Sequence, residues 1–232
     1  VTHFVDIWQG NLALDVQSLD KLIVLLDQQE LARARAFKLP AVRDRFVATR
    51  GLLRTILARY LQVDPAGLQF TAGEYGKPAL SAEQLYFNLS HTADSLVIVV
   101  SDLENIGVDI ERIKPRSSLP QLARRCFSKA EFNAWHLFSE SQRQQVFYKL
   151  WTQKEAFVKA VGRGVALGLD RCEVDLAGSG FLKVPQEYGL AENWRIIEFF
   201  LNQDLCGAVV APNVEFVPSL RRIDIDRMVG LA

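Results

Sequence analysis

The stretch Ile106-Gly107-Val108-Asp109-Ile110-Glu111 alternates apolar and non-apolar positions without a break. Successive side chains of a strand point to opposite faces, so Ile106, Val108 and Ile110 share one face and Gly107, Asp109 and Glu111 the other. The apolar face seeks a core. The other presents two carboxylates ~6.5–7 Å apart along the strand, and Gly107 is expected to leave open space beside them. Paired oxygens with room around them suit a hard cation such as Mg2+, which keeps waters and takes few protein ligands. The solvated edge of an amphipathic strand would show the same pattern.

Upstream, residues 85–89 and 96–100 are apolar and β-branched and read as strands, with 101–105 a hairpin-like turn into the carboxylate strand. Residues 27–60 are helix-rich with a break near Pro40, and from Arg43 onward Phe46, Leu53, Ile56, Leu57 and Tyr60 recur at helical spacing. Residues 64–67 form a turn. Downstream, 115–120 reads as a loop, 128–138 and 145–161 as helices, and the glycines of 162–168 end the second helix. Segments 172–176, 194–201 and 205–211 read as strands, and the last twenty residues show no clear pattern. Helix-rich blocks followed by adjacent strands argue for an α+β fold.

In the second helix, Trp151, Glu155 and Lys159 stand four residues apart and form one column. A third carboxylate with a cation beside it could serve a metal and a phosphate oxygen. A surface ion pair worth ~0.3–0.5 kcal/mol fits the spacing as well. His91 follows a strand, where it could be structural or meet a phosphate.

Composition narrows the classes. The 232 residues carry 27 Lys+Arg and 27 Asp+Glu, with 49% hydrophobic residues. Disorder is excluded, and a chain-wide attraction to nucleic acid or anionic membrane has no support. The neutrality is an average. Residues 31–60 and 112–129 hold 14 of the 27 basic residues and one of the 27 acids. Arginine clusters favour phosphate oxygens, although a solvated helix face would look the same. On a regular helix Arg43, Arg50 and Arg54 share a stripe and Arg45 points away. No apolar run approaches the ~20 residues of a membrane helix. Residues 1–10 show no basic segment before an apolar block, so a cytoplasmic protein is expected. Cys126, Cys172 and Cys206 are scattered and read as buried thiols.

Four motifs, Gly76-Lys77-Pro78, Phe87-Asn88-Leu89-Ser90-His91, Ile106 to Glu111, and Trp151-Thr152-Gln153-Lys154-Glu155-Ala156-Phe157-Val158-Lys159, follow one another in an order that resembles the 4′-phosphopantetheinyl transferases. The match is to the larger type with two similar halves in one chain. That resemblance implies an α+β fold in which two halves, each a small mainly antiparallel sheet packed with helices, are related by a pseudo-twofold axis. The halves would be 1–104 and 105–232, with coenzyme A in the cleft between them. The resemblance further implies Mg2+, with Mn2+ as an alternative, on Asp109, Glu111 and Glu155. Lys159 would meet the diphosphate and share the catalytic work with Glu155. His91 and Arg45 would hold phosphates, with Arg50 a further candidate and Ser90 and Asp109 also near the cofactor. Gly76, Lys77 and Pro78 would line the adenine and ribose pocket. An apo acyl or peptidyl carrier protein would be the partner, docking on Arg116, Leu119, Arg124, Arg125 and Phe127. No nucleic acid or membrane partner is expected, and a monomer is. The alternatives are a non-catalytic coenzyme A or carrier-binding module and a Mg2+-dependent phosphodiesterase.

Overall fold

A computed structural model describes residues 2–81, 85–176 and 180–229. The chain opens with strand β1 (His3–Asn11), then helices α1 (Val16–Ile23), α2 (Gln28–Ala36) and α3 (Pro40–Leu61). A small hairpin follows, β2 (Phe70–Ala72) and β3 (Pro78–Leu80), and then β4 (Tyr86–Thr92) and β5 (Ser95–Ser101). The same order then recurs. Strand β6 (Gly107–Arg112) leads to α4 (Leu119–Cys126), α5 (Lys129–His136) and α6 (Glu140–Ala160). The short pair β7 (Glu173–Val174) and β8 (Phe181–Lys183) precedes β9 (Trp194–Asn202) and β10 (Leu205–Pro212). Strand β11 (Phe216–Arg222) and helix α7 (Ile225–Val229) follow, and residues 230–232 lie outside the described residues.

The sheets repeat as the elements do. One has the order β11-β1-β5-β4 and the other β6-β10-β9, so β1-β5-β4 corresponds to β6-β10-β9. All these corresponding pairings are antiparallel. The fold is α+β, as the element order implied, with two similar halves, as the family resemblance implied. The strand β11 stands outside the repeat and pairs in parallel with β1.

Both halves fix their long helix by one device. In α2, Asp27 and Glu30 form a capping box, and Glu30 then receives Arg54 of α3 at 2.7 Å. In α5, Ser128 and Glu131 form a capping box, and Glu131 receives Lys154 of α6. Both cations are fully buried. Each also donates to main-chain carbonyls, Arg54 to Pro65 and Leu68 and Lys154 to Cys126 at the end of α4, Leu169 and Cys172. A buried charge is stable only when paired and hydrogen-bonded, so truncating Lys154 would leave Glu131 without a countercharge, whereas Glu30 without Arg54 would keep its pair with Arg50.

Apolar side chains fill three clusters. One lies in the first half around α3, one in the second around α6, and the third joins Val5, Ile7, Val97 and Val99 to Ile106, Val108, Ile110 and Val209. Each large apolar side chain so buried contributes about 1.5–3 kcal/mol. The third cluster is where the halves meet, and it takes up the apolar face of β6.

Three expectations need correction. Segment 101–105 does not close a hairpin, because β5 and β6 belong to different sheets. Helix α4 begins at Leu119, inside the expected loop 115–120, with Pro120 in its first turn where a missing N–H costs nothing. The patternless C-terminus contains β11, whose edge position tolerates Pro218. The three cysteines are free and buried, as expected. Among the described residues no helix is long and apolar enough to cross a membrane.

Candidate functional site

Strand β6 places the carboxylates. One edge pairs with β10, its apolar face enters the cluster between the halves, and Gly107, Asp109 and Glu111 turn toward α6. The open space expected beside Gly107 does not exist. A Cβ there would lie 2.1 Å from the Ala156 carbonyl oxygen and 2.4 Å from the Ala160 nitrogen. Glycine is present because the α6 backbone runs against it.

Helix α6 supplies the rest of the site. Trp151, Glu155 and Lys159, the expected column, line one small cavity with Ser90, His91, Asp109 and Glu111. The Lys159 ammonium donates to Asp109 Oδ1 at 2.7 Å and to the Val108 carbonyl at 3.2 Å. The alternative of a plain Glu155–Lys159 surface pair is therefore not what the helix builds. Ser90 donates to the same Asp109 oxygen at 2.8 Å.

The three carboxylates strain one another. Burial, then the Asp109 charge, pushes Glu155 up to about 7, against the pull of Lys159. Burial also raises Asp109, although Lys159 and Ser90 act to lower it. Glu111 is raised by burial and by Asp109. Asp109 Oδ2 is buried with no hydrogen-bond partner. Among the described residues no group of three or more His, Cys, Asp or Glu side chains is gathered closely enough to hold a metal as they stand. The chemistry of the donors still fits a hard divalent cation: oxygen ligands only, one of them orphaned, with a single lysine to offset three acids.

Beside this cavity runs a cleft of about 750 Å3 that also reaches Lys159. Gly76, Lys77 and Pro78 line it, and Gly76 takes a left-handed φ of 81° in the β2–β3 turn. The Lys77 stem lines the cleft, but its ammonium is drawn onto the carbonyls of Ile106 (3.0 Å) and Ala160 (2.9 Å). Burial there lowers its pKa to about 8. Arg50 lines the cleft, paired with Glu30 and lying over the Phe70 ring. Arg54 is sealed in the core. Arg45 points elsewhere, to Asp94 at the β4–β5 turn, at 3.0 Å. It is still close enough to His91 to matter: burial, then Lys159, then Arg45 push the imidazole below its usual range. Arg33, one of the basic residues of 31–60, lines the cleft, as do Thr49, Phe70 and Asn88, to which the sequence assigned no role. Asn88 sat in a quoted motif, whereas Phe70 reaches the site through a three-residue strand with no periodicity to read.

All six basic residues of 112–129 are exposed, Arg116, Arg124 and Arg125 among them. Leu119 and Phe127 are not available as the apolar part of that surface. They are 8% and 3% exposed, and Phe127 packs on Trp135 and Phe147.

Residues 105–209 match the model of the 4′-phosphopantetheinyl transferase superfamily. The chain is 37% identical over 211 residues to the 4′-phosphopantetheinyl transferase HetI of Nostoc sp., covering 89% of this chain and 86% of that one. It is 35% identical to a putative 4′-phosphopantetheinyl transferase, slr0495, of Synechocystis sp., over 74% and 71% of the two chains. To the 4′-phosphopantetheinyl transferase Sfp of Bacillus subtilis it is 36% identical over 57% of this chain and 58% of that one.

Proposed function

The chain belongs to the 4′-phosphopantetheinyl transferase superfamily, and on that premise we propose that it moves 4′-phosphopantetheine from coenzyme A to a serine hydroxyl of an apo acyl or peptidyl carrier protein, releasing adenosine 3′,5′-bisphosphate. The observation that carries this is the convergence of Asp109, Glu111, Glu155 and Lys159 in one cavity that opens on the arginine-lined cleft. Coenzyme A would occupy that cleft, between halves 1–104 and 105–232 related by a pseudo-twofold axis. The repeated strand order supports that division.

The reaction forms a serine Oγ–phosphorus bond and breaks the diphosphate P–O bond, so positioning and charge stabilisation dominate. Asp109, Glu111 and Glu155 would hold Mg2+ (or Mn2+), which when bound supplies neutralising charge to the diphosphate. Lys159 leaves its contact with Asp109 to meet the leaving phosphate, as donor of a hydrogen bond or of a proton. Glu155 takes the serine proton, directly or through a water that it orients. The assignment rests on the place of Glu155 in the cavity beside Asp109 and Lys159, since a bound cation would draw its raised carboxyl back down. His91, Arg50 and Arg33 hold phosphate oxygens, with His91 gaining a proton as the anion arrives, and Arg45 joins them only by leaving Asp94. Ser90 orients Asp109. Gly76, Lys77 and Pro78 border the nucleoside. The protein is proposed to act in the cytoplasm, and as a monomer, because the fused halves supply the interface that flanks the cleft.

The direct test is mass spectrometry. Incubated with coenzyme A and Mg2+, an apo carrier should gain the mass of phosphopantetheine. No gain across acyl and peptidyl carriers would favour a non-catalytic binding module.

The carrier is expected to be acidic around its serine and to dock on the exposed arginines of α4. Reversing both charges in an Arg124→Glu/Arg125→Glu variant should raise the KM for carrier roughly tenfold, about 1.4 kcal/mol, and leave the KM for coenzyme A unchanged. An unaltered carrier KM would remove α4 from the interface.

A further inference from the structure

Strand β6 has a second edge, opposite β10, and it faces β4. Among the described residues no main-chain ladder joins the two strands. The outward groups of β6 are met by side chains. The Ile106 carbonyl accepts from Lys77 Nζ at 3.0 Å, and the Val108 carbonyl from Lys159 Nζ at 3.2 Å. The Val108 N–H donates to Asn88 Oδ1 at 3.0 Å, and the Ile110 N–H to Ser90 Oγ at 3.3 Å. The corresponding edge of β1 is closed differently, by a full ladder with β11.

The ladder with β10 fixes the register of β6 within its own sheet and so the face that Asp109 and Glu111 take. Where β6 stands against β4, which carries Ser90 and His91, is left to these few side-chain bonds. The lysines are long and tolerate sliding. Ser90 divides its hydroxyl between Ile110 and Asp109. Asn88 is short and only 5% exposed, and its amide oxygen is committed to Val108, next to Asp109. Its own backbone is held in register with β5 opposite Val99. Asn88 therefore links a rigid strand that carries Ser90 and His91 to the strand that carries Asp109 and Glu111.

We propose that Asn88 is a positioning residue of the transfer reaction, fixing where β6 stands against β4 through Val108 and with it the placement of the carboxylates relative to Ser90 and His91. The kinetic consequence rests on the transferase reading given above, and the structural consequence does not. Displacing reacting groups by about 1 Å can cost roughly 100-fold.

The test compares Asn88→Ala and Asn88→Asp in the full chain, since aspartate keeps an acceptor oxygen in place. In Asn88→Ala, amide exchange at Val108 should accelerate at least tenfold. The kcat should fall roughly 10- to 100-fold, and half-maximal activity should need severalfold more Mg2+, with the carrier KM unchanged. Asn88→Asp should recover most of the Val108 protection. If Asn88→Ala does not fold, Asn88→Ser, too short to reach Val108, takes its place against Asn88→Asp. Unchanged exchange at Val108 overturns the proposal. Faster exchange with wild-type kcat and Mg2+ requirement overturns it too, by leaving Asn88 a merely structural role. If the wild-type chain transfers nothing, the transferase reading falls and the catalytic role with it, while the Val108 exchange still decides whether Asn88 sets the strand.

Discussion

Glu155→Gln is expected to lower phosphopantetheine transfer roughly 1,000-fold and, in the same molecule, to stabilise the metal-free fold above neutral pH. The first effect follows if, as proposed, the change removes both a cation ligand and the base. The second follows from burial. The folded chain holds the Glu155 proton up to a pKa of about 7, against an ordinary 4.5 in the unfolded chain. Between these values the native state binds more protons than the unfolded state, so stability falls as pH rises from the lower value through the higher. The penalty is absent below pH 4.5 and complete above 7, where it amounts to about 3 kcal/mol. Glutamine has the same shape and no charge, so it escapes the penalty. In chelator, the variant should melt roughly 5–10 °C above the wild type at pH 8 and level with it near pH 4.5. Near-normal turnover would sink the three-carboxylate model. A melting difference that ignores pH would sink the account of the buried charge. Asp109→Ala should abolish transfer as well, and near-normal turnover there would count equally against the model.

The site was legible in the sequence wherever it is local. Period-two alternation placed Asp109 and Glu111 on one face, and four-residue spacing placed Trp151, Glu155 and Lys159 in one column. Both columns do meet in one cavity. What alternation cannot show is what lies against that face. Gly107 was read as room for a ligand, and it is instead the point where a helix backbone comes closest. The charge count was misleading for a similar reason. Arg50 and Arg54 belong to the basic segment 31–60, but their partner Glu30 stands just outside it, and Arg45 finds Asp94 nearly fifty residues on. A charge window sees one side of a tertiary pair. The burial of Leu119 and Phe127 likewise depends on α5 and α6 closing over α4, which no local pattern in 112–129 announces. The repeat of the halves came only through the family resemblance and shows in no local pattern, because it lies in strand order and in paired capping-box glutamates, and one half holds its long helix with arginine while the other uses lysine.

The close approach at Gly107 gives the largest expected loss of stability. An alanine Cβ would stand 2.1 Å from the Ala156 oxygen, 2.4 Å from the Ala160 nitrogen and 2.9 Å from the Ala160 Cα. Non-bonded heavy atoms are most favourable at ~3.5–4.0 Å, so β6 and α6 would have to part by an ångström or more. All three obstacles are main chain, and no rotamer change relieves them. Parting the two elements also opens the cluster behind β6 and moves Asp109 and Glu111 away from Glu155 and Lys159. Gly107→Ala should therefore cost at least about 3 kcal/mol, at the upper end of overpacking effects, and the fraction that folds should transfer slowly even with saturating coenzyme A and Mg2+. Gly67→Ala is the control, because its added Cβ would meet nothing nearer than 4.0 Å, and it should stay within about 1 kcal/mol of the wild type. Denaturant titration of both variants reads the difference directly. Equal midpoints for Gly107→Ala and the wild type would mean that β6 does not lie against α6 as described. Full folding with wild-type turnover would mean that the distance between the two carboxylate-bearing elements does not govern the reaction.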